Sequence, residues 1–476
     1  MNLKKALERN GDLGENPYIE GPYAPIDGEI VTSDVTVIGE VPADLRGVYV
    51  RNGPNPRFGT KGRHHWFDGD GMLHSVHFTD EGVTYRNRYV RTEAFVRETS
   101  ADSGLWWGLM EPAIHNPRDM PIKDTANTDV IYHNGKLLAL WYLAGQPYAL
   151  DPVTLEELGP ETFGGKLEMD VSAHAKVDWK TGEAFFFDQS FTPPYLAYGV
   201  AGPDGELKHA VPIEVPGPRQ PHDMSITENY AILMDLSLFA DPQALAAGRY
   251  KVGFHADIPS RFGIIPRLGG PDELRWFDAE PCYIYHVVNS WEEGDEVVLV
   301  ACRVKEPEPT ARIPGPLGKM LAYLRLDAQL YQWRFNMKTG QTIEGPLDDA
   351  NTEFPTLNAQ LVGQKSRYAY NVHLSDHPTL LFDGIFKYDL EGDSVTRHWF
   401  GEGRFGSEAP FCPRPNATSE DDGYLVSFVY DQNEDRSEVV ILDASDMTAE
   451  PIARVILPQR VPLGFHAAWI PQDDLP

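Results

Sequence analysis

The sequence predicts an all-β fold assembled from short hairpins, and turn chemistry is the main evidence. Turn signals flanked by apolar or alternating segments recur at residues 80–82, 133–135, 180–182, 203–205, 338–340 and 390–392. Asn-Gly, Asp-Gly and Thr-Gly pairs supply the positive φ angles that tight hairpin turns require. The best helical patterns are two short candidates, at 241–248 and 315–324, so helices are expected to be minor elements.

The spacing of the strand groups favours a β-propeller within the all-β class. The groups follow one another at roughly 40 to 60 residues, as blades of about four strands would. About seven such blades fit into the roughly 430 residues that follow a Pro-, Gly- and Asn-rich N-terminal arm. The internal repeat is weak, so a large sandwich and a pair of barrels remain alternatives at this point.

The composition restricts the partners of the protein. The 476 residues contain 41 Lys and Arg against 71 Asp and Glu, which gives a formal net charge of −30. So acidic a chain argues against nucleic-acid binding and against electrostatic docking on anionic lipid. Because 42% of the residues are hydrophobic, the chain can bury a large core. The expected substrate is neutral or apolar, and no protein partner is evident.

Cysteine usage and the first residues of the chain predict a cytoplasmic location. The three cysteines are Cys282, Cys302 and Cys412, and no Cys-x-x-Cys spacing occurs among them. Neither a disulfide framework nor a thiolate metal site fits this pattern, whereas a reducing compartment does. Residues 1–10 lack the apolar stretch of a signal peptide, and no segment reaches the roughly 20 apolar residues of a membrane span.

Four histidines interrupt strand-like segments at widely separated positions. His174, His222, His286 and His466 stand in β-branched or aromatic contexts, with gaps of 48, 64 and 180 residues between them. One such histidine is more often a core or turn residue, but four in the same setting indicate a shared purpose. The inner strands of successive propeller blades converge on one axis, where these imidazoles could meet.

Four neutral imidazoles without a thiolate suit a divalent iron, copper, nickel or zinc ion. Zinc with four closed ligands would be structural, whereas octahedral Fe(II) would keep two open positions. Ligating histidines usually donate their second ring N–H to a carboxylate or a carbonyl. Glu353 and Glu408, which precede apolar turns containing proline, are candidates for that role. As isolated residues they would more often be surface carboxylates.

The segment 64–77 holds four histidines and two aspartates, which invites a local metal-site interpretation. We interpret it instead as structural, because 68–71 has the composition of a hairpin turn. His74 and His77 then fall on opposite faces of a strand. The histidines of this segment are therefore expected to be solvated or to act as caps.

Several separated motifs occur together in an order typical of one family. The segments 51–56 (RNGPNP), 65–72 (HWFDGDGM) and 353–355 (EFP) accompany the four histidine settings. Over residues 35–469 the chain resembles the carotenoid cleavage oxygenase family, which also contains lignostilbene dioxygenases. The resemblance implies a seven-bladed β-propeller with a small helical cap over one face and one Fe(II) per chain on the propeller axis.

The resemblance also implies roles for individual residues. The four histidines match the iron ligands, and Glu353 and Glu408 match two of the three glutamates that hold those ligands in the family. The third glutamate is missing, because Leu143 lies nearest its expected position. We therefore expect a carbonyl or a water molecule to hold one imidazole near that strand. The affinity for iron or the reactivity of the bound iron should change, but activity should persist.

The implied reaction is cleavage of a conjugated C=C bond of a carotenoid or apocarotenoid by O2, giving two carbonyl products. The alternative is cleavage of stilbenoid or phenylpropenoid alkenes. The family members that cleave them resemble one another in a Lys and a Tyr that bind the phenol oxygen. Tyr142 and Met110 occupy those positions here, which favours an apolar polyene. No acid or base residue is expected to act. The residues expected to line the pocket are Trp106, Trp107, Met110, Trp141, Tyr142, Leu143 and Phe354.

The resemblance further predicts how the chain is divided. An arm should cover residues 1–30 and one propeller domain residues 31–476, with cap insertions at 239–268 and 305–331. The apolar stretch 315–324 is a candidate entry point for lipid-dissolved substrate and for peripheral membrane contact. Packing of this stretch on the body is an equally good interpretation. Two rival functions remain, a non-catalytic binding propeller and an isomerase or hydrolase acting on retinoid esters.

Overall fold

The computed structural model describes residues 16–246, 251–312 and 314–476. Half of the predicted arm, residues 1–15, and the end of the first helix candidate, residues 247 and 248, lie outside the described residues. Within them three α-helices occur, α1 (Glu93–Ala101), α2 (Pro242–Ala246) and α3 (Gly315–Leu324). The predicted segment 241–248 contains the whole of α2, the segment 315–324 coincides with α3, and the sequence analysis missed α1.

The strands of the first half are β1 (Val31–Thr32), β2 (Thr36–Gly39), β3 (Gly47–Pro54), β4 (Gly71–Thr79), β5 (Gly82–Tyr89), β6 (Asp129–His133), β7 (Lys136–Leu140), β8 (Tyr148–Leu150), β9 (Glu157–Pro160), β10 (Lys176–Asp178), β11 (Glu183–Gln189), β12 (Leu196–Ala201), β13 (Leu207–Ile213), β14 (Ser225–Ile226), β15 (Tyr230–Asp235) and β16 (Leu238–Ala240). Those of the second half are β17 (Val252–Phe254), β18 (Ser260–Pro266), β19 (Arg275–Ala279), β20 (Ile284–Glu293), β21 (Glu296–Val304), β22 (Ala328–Asn336), β23 (Thr342–Pro346), β24 (Thr352–Thr356), β25 (Tyr368–Leu374), β26 (Phe382–Asp389), β27 (Ser394–Trp399), β28 (Arg404–Phe405), β29 (Phe411–Pro413), β30 (Gly423–Asp431), β31 (Arg436–Asp443), β32 (Ala453–Ile456) and β33 (Ala467–Pro471).

Of the 33 described strands, 31 form seven antiparallel sheets of four to six strands, which are the blades of a β-propeller. The other two, β16 and β17, form a separate two-stranded sheet. Five blades follow the chain directly, as β6–β9, β10–β13, β14-β15-β18-β19, β20–β23 and β24–β27. Large apolar side chains such as Phe185, Trp333 and Val426 are fully buried between the sheets. The seven-bladed prediction is confirmed, and the sandwich and barrel alternatives are wrong.

The last two blades join the two ends of the chain. In one, C-terminal β33 pairs with β3 of the sheet β1-β5-β4-β3. In the other, N-terminal β2 pairs with β32 of the sheet that contains β28–β31. A closed ring of blades leaves only short, protected sheet edges, so this double pairing locks the propeller.

The six predicted hairpin turns all lie between consecutive paired strands, for example residues 134 and 135 between β6 and β7. Asn134 and Gly135 have φ angles of 47° and 73°, which explains the Asn-Gly pair. Residues 68–71 lie in the β3–β4 hairpin, as predicted, but its connection is long and they do not form a tight turn. Residues Trp66–Asp68 form a 3-10 helix within the long connection from β3 to β4.

The described part of the arm and α3 cover one end of the propeller. Tyr18 and Tyr23 are buried in one apolar cluster with Met320, Leu321 and Leu324 of α3. The apolar face of α3 therefore packs on the body, as the second interpretation of this stretch expected. Membrane contact through the cap stays a prediction. Among the described residues, no helix is both long enough and apolar enough to cross a membrane.

Candidate metal centre

The innermost strands of the seven blades meet around one axis. The sheets place β6, β10, β14, β20, β24 and β33 at an edge, with the short β29 beside β30 in the remaining blade. Neighbouring inner strands contact one another, as in β6 with β10, β20 with β24 and β29 with β33. Any residue at the same height on these strands therefore faces the other blades across the axis.

Four blades each contribute one of the predicted histidines. His174, His222 and His466 lie just before β10, β14 and β33, and His286 is the third residue of β20. The imidazole ring of His174 lies 4.8, 4.9 and 4.5 Å from the rings of His222, His286 and His466, measured between centroids. Ring nitrogens of His174, His222 and His286 come within 4.8 Å of one another, a spacing that could hold one metal ion.

The other three blades contribute carboxylates. Glu353 of β24 pairs with Nδ1 of His286, and Glu408, before β29, lies 3.0 Å from Nδ1 of His466. Asp129, the first residue of β6, accepts a 3.1 Å hydrogen bond from the backbone N–H of His174 and lies 3.2 Å from its Nδ1. Glu353 and Glu408 thus lie where the sequence predicted partners for imidazoles, and Asp129 was missed.

These pairings direct the opposite ring nitrogens inward. When Nδ1 donates its proton to a carboxylate, Nε2 keeps a free lone pair for a metal. Nε2 of His174 and Nε2 of His286 are buried and have no hydrogen-bond partner within the described chain. Buried polar nitrogens are normally satisfied, so the donor set fits a metal ion.

Burial and the carboxylates set the protonation of the cluster in opposite ways. Burial, reinforced by the neighbouring histidines, lowers the pKa values of His174, His222 and His286 well below their ordinary range. Burial also acts to lower the pKa of His466, but the Glu408 carboxylate opposes it and the pKa is raised. Neutral imidazole is the form that binds metals.

His222 differs from the other three histidines. Its Nδ1 is buried without a hydrogen-bond partner among the residues that the structure describes. Its ring contacts Tyr285 at 5.1 Å and Tyr142 at 6.2 Å, and Leu143 follows Tyr142 along the same cavity wall. One imidazole thus has no carboxylate partner, and it shares the cavity lining with Leu143, the residue nearest the expected position of the third glutamate.

The backbone is strained at two positions in the cluster. His174 and Phe354 have φ angles of 66° and 46°, in the left-handed region that non-glycine residues rarely adopt. The Phe354 ring lies 4.6 Å from the ring of His286 and stacks on His466 at 4.8 Å. Such strain persists only where the surrounding structure enforces it, which points to a functional site.

A cavity of about 630 Å³ opens against one side of the cluster. His222, His286 and His466 form its inner end. Of the predicted pocket residues, Met110, Tyr142, Leu143 and Phe354 line it. Aromatic and aliphatic residues that the sequence did not single out complete the wall, among them His65, Trp66, Phe67, Leu109, Tyr285, Leu324 and Phe465.

Three predicted pocket residues lie elsewhere, which corrects the expectation. Trp106 is fully buried and donates its indole N–H to Met120. Trp107 is 36% exposed beside His115, and Trp141 is buried in a bridge to Ser172. Trp141 is held by the bridge to Ser172, and the turn that begins at Tyr142 directs Tyr142 and Leu143, but not Trp141, to the cavity.

The histidine-rich segment 64–77 holds no second cluster of metal ligands in the described structure. His64 is buried beside Thr60, His74 is buried against the Tyr85 hydroxyl, and His77 contacts Gln472. Two of these histidines are therefore buried, where solvation or capping was expected. His65 caps a 3-10 helix through Nδ1, as expected for a histidine of this segment. It also lines the cavity, a role that the composition did not reveal.

Comparison with known proteins decides the family. Residues 23–471 match the family model described as RPE65, retinal pigment epithelial membrane protein. A carotenoid 9,10(9',10')-cleavage dioxygenase of Arabidopsis thaliana is 39% identical across 96% of this chain and 90% of its own. The chain belongs to the carotenoid cleavage oxygenase family. A carotenoid cleavage oxygenase of Mycobacterium tuberculosis is 34% identical across 96% of this chain and 98% of its own.

Solved structures of family members share the propeller. A lignostilbene dioxygenase of Pseudomonas brassicacearum superposes with a TM-score of 0.86, at 28% identity over 96% of this chain and 99% of its own. The cobalt-substituted Synechocystis apocarotenoid oxygenase gives a TM-score of 0.81, at 28% identity over 94% of this chain and 97% of its own.

Proposed function

We propose that this protein is a non-haem Fe(II) dioxygenase that cleaves a conjugated C=C bond of a carotenoid or apocarotenoid with O2, giving two aldehyde or ketone products. One observation carries the proposal. Four imidazoles from four blades converge at the inner end of a mainly apolar cavity, and two of their buried Nε2 atoms have no hydrogen-bond partner within the described chain.

In this proposal His174, His222, His286 and His466 hold one ferrous ion, and Glu353 and Glu408 orient two of them. Fe(II) bound to four imidazoles supplies activation of dioxygen, because an octahedral ion with four ligands keeps two open positions. The conjugated alkene supplies the electrons, so no organic cosubstrate is required.

The chain's own groups bind and orient the substrate and exclude water. Phe67, Phe354 and Phe465 surround the inner end of the cavity with aromatic surface, which suits a flat conjugated chain. No proton-transfer residue is assigned, since the proposed reaction needs none.

The cavity favours a polyene over a phenol. Stilbenoid-cleaving relatives resemble one another in a Lys and a Tyr that bind the phenol. Tyr142 occupies the position of the Lys and Met110 that of the Tyr, and both line the cavity. Neither provides a cation for a phenolate. The 39% identity to a carotenoid cleavage dioxygenase supports the same choice. Stilbenoid cleavage remains the second candidate, because the lignostilbene dioxygenase has so similar a fold.

The test is anaerobic loading with Fe(II), followed by incubation with ¹⁸O₂ and either a long apocarotenal or a lignostilbene. The proposal predicts cleavage of the apocarotenal, with one ¹⁸O in each new carbonyl of the two products, measured by mass spectrometry after short reaction times. His286→Ala serves as the control that lacks a ligand. Cleavage of the lignostilbene alone would overturn the substrate choice, and failure to bind iron would overturn the enzyme.

We also propose that the protein is cytoplasmic and that its cap makes peripheral contact with membranes. The three cysteines are free and buried, as expected in a reducing compartment. Because Met320, Leu321 and Leu324 face inward, a membrane contact would have to use other residues of the cap. Vesicle co-sedimentation of the full-length protein, with and without a lipid-borne apocarotenoid, measures such contact directly.

A further inference from the structure

Two cavities reach the histidine cluster, and they lie on opposite sides of it. Besides the large cavity, a channel of about 220 Å³ is lined by His174, His286 and His466. The residues that follow the cluster along each inner strand line the channel, as Val130–Tyr132 follow Asp129 and Ala467–Trp469 follow His466. The residues that precede the cluster line the large cavity, such as Thr128, Tyr285 and Phe465.

This pattern shows that the inner strands run the same way along the axis. The channel therefore follows the propeller axis away from the cluster, and the large cavity lies at the opposite end. Phe354 departs from this pattern for a local reason in its backbone. It follows Glu353 in sequence, but its left-handed φ angle of 46° turns it into the large cavity.

The two cavities differ in charge. Asp129, Asp223 and Glu408 line the axial channel, together with one cation, Lys176, which lies 2.7 Å from Asp223. The inner part of the large cavity is aromatic and aliphatic, and its lining carries three cations, Arg63, Lys251 and Lys319, against one carboxylate, Glu308. A hydrated divalent cation loses solvation in an apolar cavity, whereas a channel lined by carboxylates attracts it.

We propose that the metal ion reaches the four histidines through the axial channel, guided by Asp129, Asp223 and Glu408, while the large cavity serves the apolar substrate. This inference rests on the proposed binding of a metal at the four histidines. It assigns the channel side of the propeller a function separate from substrate entry, so metal loading should proceed even when substrate fills the cavity.

The test compares the same substitution in the two cavities. Ala468 lines the channel and Ala311 lines the large cavity, and both are partly accessible. The full-length metal-free protein is mixed with Co²⁺, and uptake is followed by its visible absorbance. We expect Ala468→Phe to slow uptake about tenfold or more, because a phenyl ring fills a narrow channel, and Ala311→Phe to leave the rate within about twofold.

Gln360 at the exposed channel mouth allows a matched charge test. Gln360→Glu should speed uptake and Gln360→Lys should slow it, each by about threefold, with the difference shrinking at high salt. Ala359→Phe, also in the channel lining, replaces Ala468→Phe if thermal unfolding shows that the latter does not fold.

The outcomes separate the route from the function. Slower uptake in Ala311→Phe than in Ala468→Phe, inhibition of uptake by an apocarotenoid in the cavity, or unaltered rates in every channel variant would each overturn the axial route. Failure of the unmodified protein to bind Co²⁺ at equilibrium would overturn the proposed metal function and the route with it.

Discussion

The two sides of the histidine cluster are supported differently. On one side Glu353 and Glu408 hold the Nδ1 atoms of His286 and His466. On the other side Nδ1 of His222 has no hydrogen-bond partner in the described chain. All three of these histidines reach the large cavity, but His286 and His466 are deeply buried and packed by Phe354, whereas His222 is only partly buried.

The order of the blades around the axis explains this difference. The strand after His222, β14, belongs to the blade between those of His174 and His286, so both neighbouring blades contribute imidazoles. The three carboxylates come from β6, β24 and the segment before β29. Each of these lies beside the blade whose histidine the carboxylate contacts. A partner for His222 would have to come from the wall of the cavity, where Leu143 lies.

The largest effect should come from removing one histidine on each side. His286→Ala and His222→Ala should both abolish stoichiometric metal binding, measured by elemental analysis after Fe(II) loading. Only His286→Ala leaves a carboxyl, that of Glu353, buried without its partner. It should therefore destabilise the metal-free protein by about 1 to 3 kcal/mol more than His222→Ala.

Chemical denaturation of the two metal-free variants tests that difference. Both substitutions remove the same imidazole, but His286 is the more deeply buried, so His286→Ala in a Glu353→Gln background separates the loss of packing from the loss of the partner of Glu353. Equal losses of unfolding free energy would mean that Glu353 finds another partner, and the two sides would then not differ in the proposed way.

The next effect concerns the carboxylates themselves. Glu353→Gln keeps the shape of the side chain but replaces one carboxyl oxygen by an amide NH2 group, which weakens the acceptor for Nδ1 of His286, so metal affinity should fall about 10- to 100-fold. Competition with a chelator measures it. Glu98→Gln is the control, since Glu98 is similarly buried but pairs with Lys123, and neither residue lines the two cavities that reach the cluster. A comparable loss of affinity in Glu98→Gln would show general destabilisation instead.

A gain of affinity is expected from adding a carboxylate to the other side. Leu143→Glu should raise metal affinity about tenfold by giving Nδ1 of His222 an acceptor, while Leu143→Gln should raise it less. The metal-free protein should lose about 1 to 3 kcal/mol, because the new acid is buried at the cavity wall. Unchanged affinity would show that water already serves His222 as well as a carboxylate would.

Local chemistry explains what the sequence could predict. Hairpin turns follow from residues that tolerate positive φ, as at Asn134 and Gly135, and α3 follows from one continuous apolar stretch. The four histidines stood out because each interrupts a strand-like segment. Glu353 and Glu408 needed the family resemblance, since nothing local separates them from surface carboxylates.

The errors come from properties that local sequence does not contain. Trp106 and Trp141 were chosen by residue type, but the direction of a side chain depends on the phase of the strand and on its neighbours. Asp129 was missed because its proximity to His174 depends on how two blades lie side by side, although 45 residues separate them in sequence. Adjacency across the axis is set by closure of the whole ring.

The smallest effect should come from Asp129, which supports His174 less directly than the glutamates support their histidines. Asp129 contacts both the backbone N–H and Nδ1 of His174, at 3.1 and 3.2 Å. The Asp129 oxygen near Nδ1 also accepts from the backbone N–H of His174, so it orients the ring less strongly than Glu353 orients His286. Asp129→Asn should therefore lower equilibrium metal affinity only about threefold, below the usual range for such partners. Asp129→Ala, which removes both contacts and leaves His174 to relax from its φ of 66°, should cost more than Asp129→Asn. If Asp129→Asn instead matched Glu353→Gln, three carboxylates would share the support equally, and His222 alone would stand apart.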